Sequence, residues 1–72
     1  MNGKSRTKLK QFRGGKLLTQ EQVAKSLGYT RGHYARFENG EAEITLRFLE
    51  ALTKAFKITF DEAKELTKRD NE

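Results

Sequence analysis

TQEQVAKSLGYTRGHYARFENG, residues 19–40, decides how this chain folds. Thr19 stands three residues before Gln22, the spacing of a capping box, in which the threonine hydroxyl accepts from the Gln22 amide and the Gln22 side chain reaches back. A helix starts there. Val23, Ala24 and Leu27 fall on its inward face, and Gly28 supplies the left-handed backbone that ends it. Thr30 caps a next helix, whose apolar residues Tyr34 and Phe37 are spaced i, i+3, and Glu38, Asn39 and Gly40 close it with an Asn-Gly turn. Two helices joined by so short a turn meet at a steep angle, and their contact admits only a small side chain. Ala24 occupies that place. Gly28, four positions later, is the residue tolerant of positive φ that the turn requires.

Upstream, Leu9 and Phe12 are spaced for one face of a first helix, with Leu17 and Leu18 following it. The Gly14-Gly15 pair disfavours helix by about 1 kcal/mol per glycine relative to alanine, so this helix ends near it. Downstream, Thr45 is expected to cap a fourth helix running through Phe56, with Leu46, Leu49, Leu52 and Phe56 as its apolar stripe. Phe48 enlarges the apolar surface of that helix and reads as core, with burial beneath a further domain or partner as the alternative. After Ile58, Thr59 caps a last helix from Phe60 to about Lys68, with Phe60, Ala63 and Leu66 or Thr67 inward. The expectation is an all-α fold of five helices: a flexible basic arm at 1–5, one domain at 6–68 and a frayed tail at 69–72.

Composition sets outer bounds. A chain of 72 residues is near the lower size at which one apolar core offsets chain entropy without disulfides or metal. Cysteine is absent, which removes thiol chemistry and zinc fingers and is compatible with a reducing cytoplasm. Proline is absent too. No apolar run approaches a membrane span, and the basic start lacks the apolar segment of a signal peptide. With one histidine, no metal-ligand spacing and no phosphate loop, an enzyme is not expected and no metal or cofactor is expected. Charge is unevenly placed: residues 1–37 carry nine Lys or Arg against one acid, and residues 38–72 carry six against nine. Such a chain can turn a positive face to a polyanion, although basic arms often serve only solubility.

The segments LKQFRGGKLLTQEQVAKSLGYTRGHYARFENG and ITLRFLEALTKAFKITFDEA resemble the Cro and phage-repressor (XRE-type) helix-turn-helix family over nearly the whole chain. Within it, RFENGEAEITLRFLEAL looks most like the N-terminal domains of Rgg-type regulators. The resemblance implies a compact five-helix, lambda-repressor-like domain that binds double-stranded operator DNA. It further implies a transcriptional regulator, or part of one, of bacterial or phage origin and acting in the cytoplasm as a homodimer, with a C-terminal regulatory domain outside this chain and no membrane partner.

Residue roles follow from the same resemblance. Arg31, Gly32, His33 and Arg36 match positions of the recognition helix, about 30–38, that read bases in the major groove, where an arginine can bond guanine O6 and N7 together. Gly32 departs from the polar side chain often found there and permits close approach instead. Gln20, Tyr29, Thr30, Asn39 and Arg47 match contacts to the DNA backbone, and Arg13 and Glu38 match a structural bridge from the first helix to the end of the third. Glu41 and Glu43 stand in a loop that carries Lys or Arg in many relatives, so either that loop faces away from DNA or binding is weaker. The alternative function is a protein-interaction module, such as an antitoxin, built on the same fold.

Overall fold

The computed structural model describes residues 3–72. Its helices are α1 (Thr7–Gly15), α2 (Gln20–Leu27), α3 (Arg31–Glu38), α4 (Leu46–Phe56) and α5 (Phe60–Leu66), with no strand among the described residues. Four of the five begin at a threonine. Thr19 and Thr59 form full capping boxes with Gln22 and Glu62, and the hydroxyls of Thr30 and Thr45 accept from the amides of His33 and Phe48. Each cap satisfies an amide that the first turn leaves without a helical partner, typically worth about 1 kcal/mol.

The start of α1 is made differently. Arg6 precedes it and offers no side-chain cap. The carboxylate of Asp70 takes the part instead, accepting from the Thr7 amide at 3.0 Å and from the Thr7 hydroxyl. The backbone around this contact is paired as well, with the Asp70 amide donating to the Ser5 carbonyl and the Asn71 amide to the Gly3 carbonyl, each at 2.8 Å. Here the structure departs from the expectation of a free arm and a frayed tail. Residues 3–5 and 70–71 hold one another, because a helix amide and two carbonyls left open at one terminus are met by the other; Met1 and Asn2 lie outside the described residues.

Arg6 is the least expected interior residue, at 2 % exposure. Its Nε donates to the Thr67 carbonyl at 2.7 Å, and its Nη1 donates to the carbonyls of Phe37 at 2.7 Å and Ala42 at 2.9 Å. The guanidinium thus sits at the C-terminal ends of α3 and α5, where unpaired carbonyls and the helix dipoles favour a cation. Burial lowers its pKa from the usual arginine value, and the neighbouring Arg69 lowers it further.

Leu9, Val23, Ala24, Leu27, Tyr34, Phe37, Phe48, Leu52 and Ala63 form the core. Ala24 is buried at 1 % exposure in the same cluster as Tyr34 and Phe37 of α3, and Gly28 ends α2 at φ 82°. The buried stripe of α4 is rotated from the one the spacing predicts. Phe48 and Leu52 are fully buried, whereas Leu46 is 62 % exposed. Inside, the Phe48 ring packs against the rings of Tyr29, Tyr34 and Phe37, contacts that a leucine in its place would not make. Phe60, expected to face inward, is 42 % exposed, and α5 meets the core through Ala63 and the buried Thr67 just past its end. Leu17 is 91 % exposed with φ 58°, while Leu18 packs against the core.

Candidate nucleic-acid interface

α3 turns its polar arc to solvent. At about 100° per residue, its buried residues Tyr34, Phe37 and Glu38 share one side, and Gly32 falls near the middle of the opposite arc. Arg31 and Arg36 are both exposed and flank Gly32, about 140° apart on the helical wheel. Among the described residues neither pairs with a carboxylate, in contrast to Lys8, Arg13, Lys68 and Arg69. A Cβ built at Gly32 meets nothing within 4 Å, so the backbone itself forms the floor between the two arginines.

His33 is exposed but does not stand clear of the helix. Its ring stacks on Phe37 at 5.0 Å and 17°, and Tyr29 meets it edge-on at 5.0 Å. Tyr29 is half-buried, packed also against Phe37 and Phe48, and the guanidinium of Arg47 lies 5.6 Å from the centre of its ring. Thr30 spends its hydroxyl on the α3 cap. Asn39 ends α3, with its backbone amide bonded to the Ala35 carbonyl.

Behind this face lies a buried polar brace. Arg13 Nε donates to Glu38 Oε2 at 2.7 Å, its Nη2 donates to Oε1 at 3.3 Å, and its Nη1 donates to the Leu18 carbonyl at 2.9 Å. Gln20, expected to point to the DNA backbone, donates from Nε2 to Glu38 Oε1 at 3.0 Å, so it ties α2 to the same carboxylate. Burial opposes ionisation of Glu38, but the Arg13 guanidinium, the Tyr34 hydroxyl and the Gln20 amide around it prevail and hold its pKa below the ordinary value. The Tyr34 hydroxyl is buried beside the pair but falls short of a well-formed hydrogen bond. Burial first, and the Glu38 carboxylate second, keep its proton on well above the ordinary tyrosine range.

Glu43 does not stand free in its loop. Its carboxylate accepts from Arg69 at 2.8 Å, and Arg69 also donates to the Gly40 carbonyl at 3.1 Å. The local negative charge is met by a cation from the far end of the chain. Sequence reasoning did not find this partner, nor Arg6 or Asp70, since an arginine in a basic stretch and an aspartate in a polar tail both read as solvated.

Two exposed cations on a short helix set across a glycine turn, with that helix braced from behind, define a helix-turn-helix domain. A helix-turn-helix family model matches residues 9–62, and this chain belongs to that family. It is therefore a helix-turn-helix domain of the kind that binds double-stranded DNA. One relative, the HTH-type transcriptional activator BcrR of Enterococcus faecalis, is 40 % identical over 55 residues, covering 76 % of this chain. The match spans 27 % of that relative's own length.

Proposed function

We propose that this chain reads operator DNA with α3 in the major groove, Arg31 and Arg36 contacting bases and Gly32 admitting the groove floor close to the helix backbone. The observation that carries the reading is the pair of exposed guanidiniums flanking Gly32, neither of them paired with a carboxylate among the described residues. Arginine is the side chain best shaped for two-point contact with guanine. Asn39 and Arg47 are proposed to contact phosphates, with the backbone of Thr30 and the second amide proton of Gln20, the one not given to Glu38, as further donors; such contacts position a protein without specifying sequence. His33, stacked flat on Phe37, shapes the flank of the reading surface. A domain this small makes few base contacts, so tight binding calls for two half-sites and a homodimer. The regulator as a whole is proposed to act in the cytoplasm, with a regulatory domain outside this chain.

Selection of binding sites from random duplexes, repeated with Arg31→Ala and Arg36→Ala, tests this. An enriched motif whose positions relax with each substitution is the expected result; selection of no motif by the parent chain would remove the proposal. A second reading, an interaction module that masks a protein partner, is favoured by the exposed Leu46 and Phe60 on α4 and α5. It requires association that is insensitive to salt, whereas DNA binding weakens steeply as salt rises.

A further inference from the structure

The ring of Tyr29 is fixed on three sides, by the edge-on contacts with His33 at 5.0 Å and Phe37 at 5.3 Å and by the tilted contact with Phe48 at 5.6 Å. The Arg47 guanidinium also lies over this ring, 5.6 Å from its centre. Tyr29 belongs to the turn between α2 and α3, and Arg47 to the first turn of α4. A cation over an aromatic face at this distance is attracted by the ring quadrupole. The long arginine side chain, otherwise exposed, thereby has a preferred direction before any ligand arrives.

We infer that Tyr29 is a positioning residue for DNA binding: it holds Arg47 at a set offset from α3, so that a phosphate contact from α4 and the base contacts from α3 fit the duplex together. This rests on the proposed phosphate contact of Arg47 and deepens it. Tyr29 acts through Arg47 and has no phosphate contact of its own. An arginine held in place loses less side-chain freedom on binding than one that samples all its rotamers. The aromatic face is the part of Tyr29 that matters, and the hydroxyl is dispensable.

The test is a double-mutant cycle read on a random-sequence duplex at several salt concentrations. Arg47→Ala should weaken binding and lower the salt slope by about one. Tyr29→Leu, which fills the space without a π face, should weaken binding about two- to fivefold in the parent chain and produce no further loss in the Arg47→Ala background. Tyr29→Phe should restore parent affinity. If Arg47→Ala leaves affinity and salt slope unchanged, the phosphate contact itself is wrong and the positioning role goes with it. If Arg47→Ala behaves as expected but Tyr29→Leu costs the same in both backgrounds, or Tyr29→Phe is as weak as Tyr29→Leu, only the positioning role is overturned. Proton NMR of the unmodified chain needs no folded variant: the Arg47 δ protons should lie upfield through the Tyr29 ring current, and random-coil positions would contradict the inference.

Discussion

Arg13 on α1 and Glu38 at the end of α3 meet in a two-point ion pair whose carboxylate is wholly buried while the guanidinium keeps partial access to water, the side chains being 0 % and 21 % exposed. The inequality makes the two halves of the pair differ in what their removal costs. Removing Arg13 strands a buried charge, and breaking a buried pair from that side costs about 3–5 kcal/mol. Removing Glu38 leaves a guanidinium that can hydrate. We therefore expect Arg13→Met to destabilise the fold more than Glu38→Gln, by at least about 1 kcal/mol. Urea denaturation of both variants checks this, and equal destabilisation would show that water reaches the carboxylate.

The same pair sets an acid dependence with a definite sign. Glu38 has a folded pKa lowered from 4.5. Its stabilising contribution is present above the unfolded value of 4.5 and is lost as pH falls through the lower folded value. The exposed carboxylates Glu43, Glu65 and Asp70 are lowered as well by their hydrogen-bond partners, but water and salt screen their contributions. Glu38→Gln should flatten the fall of Tm below pH 4.5 more than Glu65→Gln does. Parallel Tm-against-pH curves for the Glu38 variant and the parent would count against this coupling.

Arg6 supplies one cation to three carbonyls that α3, α5 and the loop at Ala42 leave open. Hydrogen bonds involving a charged group contribute about 1.5–3 kcal/mol each, and buried carbonyls deprived of a donor add a desolvation penalty. Arg6→Met should cost about 3 kcal/mol or more, and Arg6→Lys should recover little, since a point ammonium cannot span acceptors that a planar fork reaches. Thermal melts of the two variants decide it. A lysine variant as stable as the parent would mean that charge alone, and not the fork, is what the site requires.

Gly28 and Gly40 both have positive φ, 82° and 77°, but their surroundings differ. A Cβ at Gly28 meets nothing within 4 Å, so Gly28→Ala carries only the left-handed backbone cost of about 1–2 kcal/mol. At Gly40 a Cβ stands 1.7 Å from the Lys4 carbonyl oxygen, which neither backbone can tolerate. Gly40→Ala should therefore cost clearly more and push residues 3–5 off the tail. Amide exchange at Asp70 and Asn71 reports the displacement, and protection equal to the parent's would show that the two ends do not depend on this close approach.

How much of this was legible in the sequence depended on range. Thr19, Thr30, Thr45 and Thr59 cap helices through contacts three residues long, so their spacing suffices. Ala24 and Gly28 were readable because a tight turn restricts size and φ at fixed offsets. Along α4, Leu46, Phe48, Leu49 and Leu52 offer two overlapping apolar stripes; Phe48 was readable as core, but the exposure of Leu46 was not, because spacing alone does not choose between the stripes. The Asp70 cap on Thr7 and the three carbonyls around Arg6 join segments distant in sequence and obey no period. At the site, the exposed arc of α3 followed from helical periodicity, but the capture of Gln20 by Glu38 did not, because one amide serves a phosphate or a carboxylate equally well.

The two arginines of α3 have a proposed role that separates cleanly from that of the surrounding polar residues. Removing either guanidinium, by Arg31→Ala or Arg36→Ala, should cost about 1–3 kcal/mol on the selected duplex and far less on random duplex, because the guanine edges are what the guanidinium reads. Asn39→Ala should weaken both duplexes alike, since phosphates carry no sequence. Because Arg31 and Arg36 flank Gly32 from opposite sides, their substitutions should relax different base positions. Gly32→Gln adds the supporting case: its side chain would meet no protein atom near its Cβ but would stand where the helix backbone is proposed to approach the groove floor. It should lower affinity for the selected duplex while changing stability by no more than about 0.5 kcal/mol, the usual range for an exposed position. Should Arg31→Ala and Arg36→Ala instead weaken cognate and random DNA equally, both residues belong with the phosphate contacts, and specificity must come from elsewhere on the fold.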